Sequence, residues 1–417
     1  MADRTSFQDP HAATLTPSPA SLGPEETSGP TAPAVSVPGA LAPGPGPGEP
    51  LLTSEAEERV AVATQAQLMW RRFRKHRLAM VGAVIVILFY LVVLFADFLA
   101  YANPEASDAQ RGLIAPQGIQ FFHEGKFLPH VFALVGKRDP ATFKRVYTVD
   151  PTKIVPLTFF APGFDYRLFG FIPANRHWIG VEDANAEETL FLLGTDLEGR
   201  DMWSRVMYAT RTSLTIGLIA VVVSLVLGVV LGGISGFYGG VADTIIQRII
   251  EILRSIPTIP LWMGLAAAMP KTWSIMQVYF TITIIISLIG WTELARVVRG
   301  RFLSLREEDF VTAADLVGAS QSRIIFVHMV PLFLSHIIAA TTLALPAMII
   351  SETALSFLGL GLRPPAISWG VLLQQAQNVQ TVALSPWLLL PAAPVILVIL
   401  AFNFLGDGLR DAADPYA

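Results

Sequence analysis

Glu352 is a carboxylate at the end of an apolar run, followed by Leu358-Gly359-Leu360-Gly361, Pro364-Pro365 and Trp369-Gly370. An ionisable group near membrane depth carries a heavy desolvation penalty, so it calls for a partner or a role. Glycines and prolines just beyond it would break a helix and permit a re-entrant or gate-like segment, tolerable only beside protein or water. Two readings of Glu352, Gly359, Gly361, Pro364, Pro365 and Trp369 stand side by side. One is a helix-end carboxylate bonded to nearby amides; the other is a gate or a contact with a partner outside the membrane.

A second cluster runs Gly194-Thr195-Asp196-Leu197-Glu198-Gly199-Arg200-Asp201-Met202-Trp203-Ser204-Arg205, with Arg211 further on. Gly194 and Gly199 permit a tight turn. Asp196 and Asp201 are candidates to cap the helix that follows. Met202, Val206, Met207 and Leu214 give that helix an apolar side, and Arg200, Arg205 and Arg211 can anchor it at the membrane surface.

A third cluster lies between two apolar runs: Asp309-Phe310-Val311-Thr312-Ala313-Ala314-Asp315-Leu316-Val317-Gly318-Ala319-Ser320, then Arg323 and Pro331. Ala314 and Gly318 are four apart, hence on one helix face. Such small residues would let another protein approach the backbone, with Phe310 and Val317 as apolar contacts. Arg306, Glu307, Glu308 and Arg323 would form the charged rim that interfaces usually have. The alternative is an ordinary surface helix packed on its own chain. Arg248, Glu251 and Arg254, spaced by three, read as a salt-bridged helix start, with a second contact to a partner protein as the alternative.

Other chemistries are missing from the sequence. It has no cysteine, which removes disulfides, thiolate metal sites and cysteine nucleophiles. No GxxxxGK[ST] loop occurs; the Gly-Lys pairs at 125–126 and 136–137 lack its context, so the chain is not expected to hydrolyse ATP. The seven histidines form no HExxH motif or metal constellation, and no paired acid/base or nucleophile cluster stands out. The expectation is a non-enzymatic chain with no cofactor of its own. The net charge of -4 offers no basic field for nucleic acid.

The elements that must position these clusters are membrane helices. Charged residues make up 15% of the 417, against about 25% in soluble domains, and mean hydropathy is +0.53. Residues 1–54 are Pro/Gly-rich and predicted to be disordered. Residues 55–100 hold an amphipathic approach and the first span, Ala79–Leu99, interrupted by Tyr90 and Asp97. Arg71, Arg72, Arg74, Lys75 and Arg77 precede it and put the N-terminus in the cytoplasm. Further spans are expected at Ser213–Phe237, Ile252–Met269 (broken by Pro257 and Pro260), Ile275–Trp291, Val330–Ile350 and Trp387–Leu405. Parity then places 101–189 and the Glu352 segment outside, and the 292–329 loop and the C-terminus inside. Lys271 falls on the wrong side for the charge rule. The 101–189 insert lacks a helical period and is expected to form a small external subdomain with short strands. The spans hold almost no ionisable groups, which argues against ion-coupled transport.

The pattern GTDxxGRDxxSR followed by TRTSLxIG, with 232–256, 351–370 and 402–415, resembles the dipeptide/oligopeptide ABC permease family in its C-type subunit. The resemblance covers roughly 70–100 and 190–417. Residues 309–331 resemble the family's EAA loop, which docks on the ATPase. Ala313, Ala314, Gly318 and Pro331 fit, Thr312 replaces the usual Glu, and His328 and Val330 replace Ile and Leu. The resemblance implies an all-α membrane protein of about six transmembrane helices with an ABC importer permease fold in the 190–417 core, plus the external insert. It also implies a bacterial cytoplasmic membrane location and a heterodimer with a second permease subunit. Two cytosolic ATPase subunits would carry ATP and Mg, and an extracytoplasmic substrate-binding protein would deliver di- or oligopeptides. Family relatives also handle nickel or oligosaccharides, and no recognition pocket in this sequence separates these substrates.

Overall fold

The basic run before the first apolar stretch sits in a short amphipathic helix, α1 (Gln65–Lys75). His76 ends it and caps α2 (Arg77–Leu99), its Nδ1 accepting from the Ala79 amide at 3.1 Å. The computed structural model describes residues 65–138, 140, 145–181, 189–270 and 272–413. The expected tail over 1–54, the approach up to residue 64, Lys271 and the last four residues lie outside these.

Strands β1 (Gln120–His123), β2 (Lys126–Arg138) and β3 (Arg145–Pro156) form an antiparallel sheet, and β4 (Thr158–Leu168) and β5 (Ile172–Gly180) form a separate hairpin. Val131, Ala133, Val155, Leu157, Ile179 and Leu190 give this insert a core of its own. Helix thus dominates the membrane-embedded part, and the insert adds β structure to it.

Five helices follow in the core before the chain turns outward: α3 (Met202–Tyr238), α4 (Gly240–Ser255), α5 (Thr258–Ala267), α6 (Ile275–Arg306) and α7 (Asp309–Leu316). After the turn Gln321–Arg323 and a π-helical stretch Ile324–Met329 come α8 (Val330–Phe357), α9 (Trp369–Gln374), α10 (Val379–Leu384) and α11 (Ala392–Ala413). Five segments are long and apolar enough to cross a membrane, and α4 with α5 makes a sixth as a pair bent by 86°.

The bent pair corrects the expected span Ile252–Met269. Pro257 biases its predecessor away from helix, and Ile256 is extended (φ -89°, ψ 129°). The helical part beyond it has ten residues, about 15 Å or half the hydrocarbon thickness. The chain nevertheless leads back along these helices here, because α3 and α6 run parallel. Tyr279 Oη donates to Thr215 Oγ1 (3.1 Å) near one end, and Ser224 Oγ donates to the Ser287 carbonyl (3.2 Å) midway. Gly236 abuts Phe302 and Arg299 near the other end. Residue numbers rise together, so the segment joining the two helices must lead back.

Gly228, Gly232 and Gly236 form a ridge at spacing four on α3, against α6. A Cβ at Gly232 would lie 2.5 Å from the Ala295 carbonyl oxygen. In lipid, where no hydrophobic force drives helices together, such close backbone approach supplies the packing energy. Asp243 of α4 receives both Arg299 Nε and Nη2 of α6 at 2.6 Å, which fastens the ends of these helices. Arg248 pairs with Glu251 at 2.8 Å, and Arg254 pairs with Glu293. Helix α8 runs antiparallel to α6, with Met348 against Gly290 and the Phe333 ring 5.4 Å from Phe302.

The connection expected over 292–329 is largely helical. Helix α6 continues through Arg296, Arg299 and Arg301 to Arg306. Hydropathy marks where lipid ends, and the helix outlasts the apolar layer.

Candidate functional site

Glu352 lies fully buried between α3 and α8. Ser213 Oγ donates to one carboxylate oxygen and Ser356 Oγ to the other, both at 2.8 Å. The expectation of amide partners is corrected: the direct partners are hydroxyls, with amides one step behind. The Trp369 amide donates to Ser213 Oγ (3.2 Å) and the Leu362 amide to Ser356 Oγ (3.0 Å). The carboxylate therefore fastens the segment after α8 to two membrane helices.

That segment turns because α8 ends in a glycine cap. Gly359 has φ +72°, its amide donates to the Ser356 carbonyl, and the Leu360 amide donates to Leu355. This six-to-one and five-to-two pattern closes the helix through a left-handed residue. Gly361 and Gly370 then press on α8; their Cβ positions would meet the Ser356 amide nitrogen at 2.6 Å and the Thr353 carbonyl at 2.4 Å. Trp369 is fully buried, with Phe89 of α2 edge-on at 6.2 Å. Pro364 and Pro365 are exposed and line a cleft of about 250 Å³ with Met269, Trp273, Ile275 and Leu362. The fold thus brings the predicted outer-segment residues together, and adds Ser213 and Ser356.

The turn before α3 is a locked structural knot. Gly194 and Gly199 have φ +75° and +74°, as a tight turn requires. Asp201 caps α3, accepting from the Ser204 amide at 2.7 Å. Asp196 does not cap it. Its Oδ1 accepts the amides of Glu198 (2.9 Å) and Arg200 (3.0 Å), and Oδ2 binds Arg200 Nε at 2.8 Å. Arg200 and Arg205 are buried against Asp196, so they are not surface anchors as expected. A two-carboxylate turn inside protein recruits the nearest cations as partners. Thr195 accepts the Ile114 amide at 2.8 Å and donates to the Arg111 carbonyl at 2.6 Å, which ties in the start of the insert. Burial pushes the Asp201 carboxyl up to about 6, against the opposing pull of the Tyr101 hydroxyl and the Ser204 amide. Burial also raises the Tyr101 phenol well above its ordinary value, with Asp201 beside it adding to the rise. Arg211 finds an unforeseen partner: Nη2 meets Asp97 Oδ2 at 2.6 Å, and Tyr208 Oη donates to Asp97 Oδ1 at 2.6 Å.

The segment after α6 presents a short helix at the opposite end of the bundle from Glu352. Helix α7 stops at Leu316, and Gly318, at φ +81°, ends it. The Ala319 amide bonds to the Ala314 carbonyl (3.0 Å) and the Gly318 amide to Asp315 (2.9 Å). Ala314 and Gly318 therefore do not share a helix face. Ala314 and Val311 turn inward to Phe302, Ile324 and Phe333, while Phe310, Thr312, Ala313, Asp315, Val317 and Gly318 face outward. Leu316 and Val317 are 83% and 88% exposed, an apolar tip that one-face reasoning missed for Leu316. Arg323 is exposed, its amide bonded to Ser320 Oγ (3.4 Å), and Pro331 is exposed in the first turn of α8.

Among the described residues, no group of His, Asp or Glu is placed to hold a metal. Residues 228–416 match the family described as binding-protein-dependent transport system inner membrane component. Residues 64–116 match the N-terminal TM domain of oligopeptide transport permease C. The chain is 42% identical over 239 residues to the oligopeptide transport system permease protein OppC of Escherichia coli (strain K12), covering 57% of this chain and 76% of that one. It is 36% identical over 271 residues to OppC of Bacillus subtilis, covering 63% and 82%. It is 29% identical over 376 residues to the dipeptide transport system permease protein DppC of Alkalihalophilus pseudofirmus, covering 88% and 97%. A chain of the inward-facing MetNI methionine ABC transporter overlays with a TM-score of 0.38 at 20% identity, over 51% of this chain and 97% of that one.

Proposed function

The chain belongs to the family of binding-protein-dependent inner-membrane transport components, and from that premise we propose that it forms one half of the translocation pathway of an ABC importer for di- or oligopeptides. It is a multi-pass membrane protein and in this reading is not itself a catalyst. ATP and Mg are handled by two cytosolic ATPase subunits, a second permease subunit completes the pathway, and an extracytoplasmic binding protein delivers the peptide. Both ends of the chain face the cytoplasm of a bacterial cell. The observation that carries the reading is the outward tip of α7, where Leu316 and Val317 stand exposed on a helix that Val311 and Ala314 anchor to the core. An exposed apolar patch on a rigid support marks a protein contact. Nucleotide-driven motion of the ATPases, transmitted through that tip, shifts the spans between inward- and outward-facing states by differential contact.

The test is peptide uptake by the assembled transporter in liposomes. Leu316→Asp and Val317→Asp leave the backbone unstrained, so both variants should insert normally, lose ATP-driven uptake and release the ATPases on purification. Full uptake by both would remove α7 from coupling. Because the chain has no cysteine, Ala313→Cys supplies a single thiol, expected to react only from the cytoplasmic side.

A further inference from the structure

The tip of the β4–β5 hairpin is the loop Phe169-Gly170-Phe171 with the paired strand ends Leu168 and Ile172, five residues without a charge or hydrogen-bonding side chain. Hairpin turns in water are built from Asn, Asp and Gly. Here Phe171 is 72% exposed, and Phe169 and Ile172 are each 42% exposed. The hairpin is not free to place this tip at will. Phe169 packs edge-on against Phe95 of α2 (5.6 Å), and Phe160 packs against Phe98 (5.8 Å). The His177 ring of β5 sits between the carbonyl oxygens of Asp97 and Phe164, at 3.1 Å from each.

These contacts fix depth. Phe95, where α2 kinks (φ -104°, ψ 18°), lies four residues before its end, within about 6 Å of it along the axis. Below it on the same helix, Leu94, Leu91, Leu88 and Ile87 are exposed, as lipid-facing residues of a spanning helix must be. The apolar tip therefore continues the exposed apolar surface of α2. Arg167 flanks the tip and is exposed, where a guanidinium can reach lipid phosphate while its stem lies along the apolar layer.

We infer that the β4–β5 hairpin dips into the outer leaflet, its tip Leu168–Ile172 seated among lipid chains beside the end of α2. It thereby ties the insert to the bilayer surface as a second anchor. This goes beyond the transport reading and needs only that α2 spans the membrane.

The test uses the complete transporter reconstituted in phosphatidylcholine–phosphatidylglycerol vesicles. Phe171→Cys carries an environment-sensitive nitrobenzoxadiazole label, and Leu91→Cys serves as the mid-membrane reference. The expected result is blue-shifted emission at position 171, quenched by lipid carrying a nitroxide near the headgroup more than by lipid carrying it deep in the chain. The order should reverse at position 91. Red emission quenched by aqueous iodide would place the tip in water and overturn the inference. Blue emission that no nitroxide lipid quenches would place it against another protein, and would overturn it equally.

Discussion

Ser213 of α3 and Glu352 of α8 are joined by a hydrogen bond of 2.8 Å in which the serine donates. Ser213 has already accepted the Trp369 amide, and Ser356 has accepted the Leu362 amide. Two relays, each amide to hydroxyl to carboxylate, thus converge on one buried group. A carboxylate accepts at both oxygens, whereas a carboxamide accepts at one and donates at the other. Glu352→Gln therefore leaves one serine hydroxyl facing a donor. An unsatisfied buried polar group costs about 1–3 kcal/mol. The expected outcome is a lower melting temperature and reduced uptake, with Glu352→Ala worse on both measures. Unchanged uptake in Glu352→Gln would remove the carboxylate's charge from the mechanism.

The space around the Cβ position predicts opposite outcomes for two glycines. Gly232→Val would drive a side chain into the Ala295 backbone, since even a Cβ lies 2.5 Å from its carbonyl oxygen. The variant should fail to give a monodisperse peak in size-exclusion chromatography. Gly264 in α5 has nothing within 4 Å of its Cβ position. Gly264→Ala should be neutral or stabilising by about 0.5–1 kcal/mol in the isolated chain.

The spans were legible because a run of apolar residues has few alternatives in lipid, and the Asp201 cap was legible because a cap lies one turn from the amide it serves. The bend at Ile256 was visible only as a warning, since Pro257 announces a break but not its angle. Glu352 and Ser356 stand four apart, so that half of the relay could be read from helical spacing; Ser213 lies 139 positions away, and only the tertiary fold joins them. Arg200 and Arg205 misled for a related reason. Arginines beside a membrane helix suggest a surface anchor until a buried Asp196 is seen to hold them. Ala314 and Gly318 suggested one face because spacing carries no mark of where a helix stops.

At Gly318 the obstacle to substitution is backbone conformation and not space. Its Cβ position has nothing within 4 Å, yet its φ of +81° suits only residues that tolerate the left-handed region. Gly318→Asn should keep uptake near wild type, because Asn visits that region readily. Gly318→Val should lower uptake by unwinding the end of α7, although it adds no bulk against the chain itself. Gly318→Trp should abolish uptake while the protein still inserts. Equal uptake in the Asn and Val variants would show that the left-handed turn does not matter to transport.

Asp201 makes stability depend on pH in an unusual direction for a carboxylate. Its folded value is about 6, against an ordinary 3.8. Between these limits the folded chain holds a proton that the unfolded chain has released. The resulting stability is fully present below the ordinary value and is lost as pH rises through 6. Roughly two pH units correspond to about 3 kcal/mol. Asp201→Asn provides the reference, because its amide does not titrate while most other groups stay the same. In detergent solution, the melting temperature of the wild type relative to Asp201→Asn should rise as pH falls from 8 to 4, with most of the change between 6 and 4. A difference that stays flat across that range would mean that Asp201 ionises as it does in the unfolded chain, and that burial at the α3 cap carries no penalty for its charge.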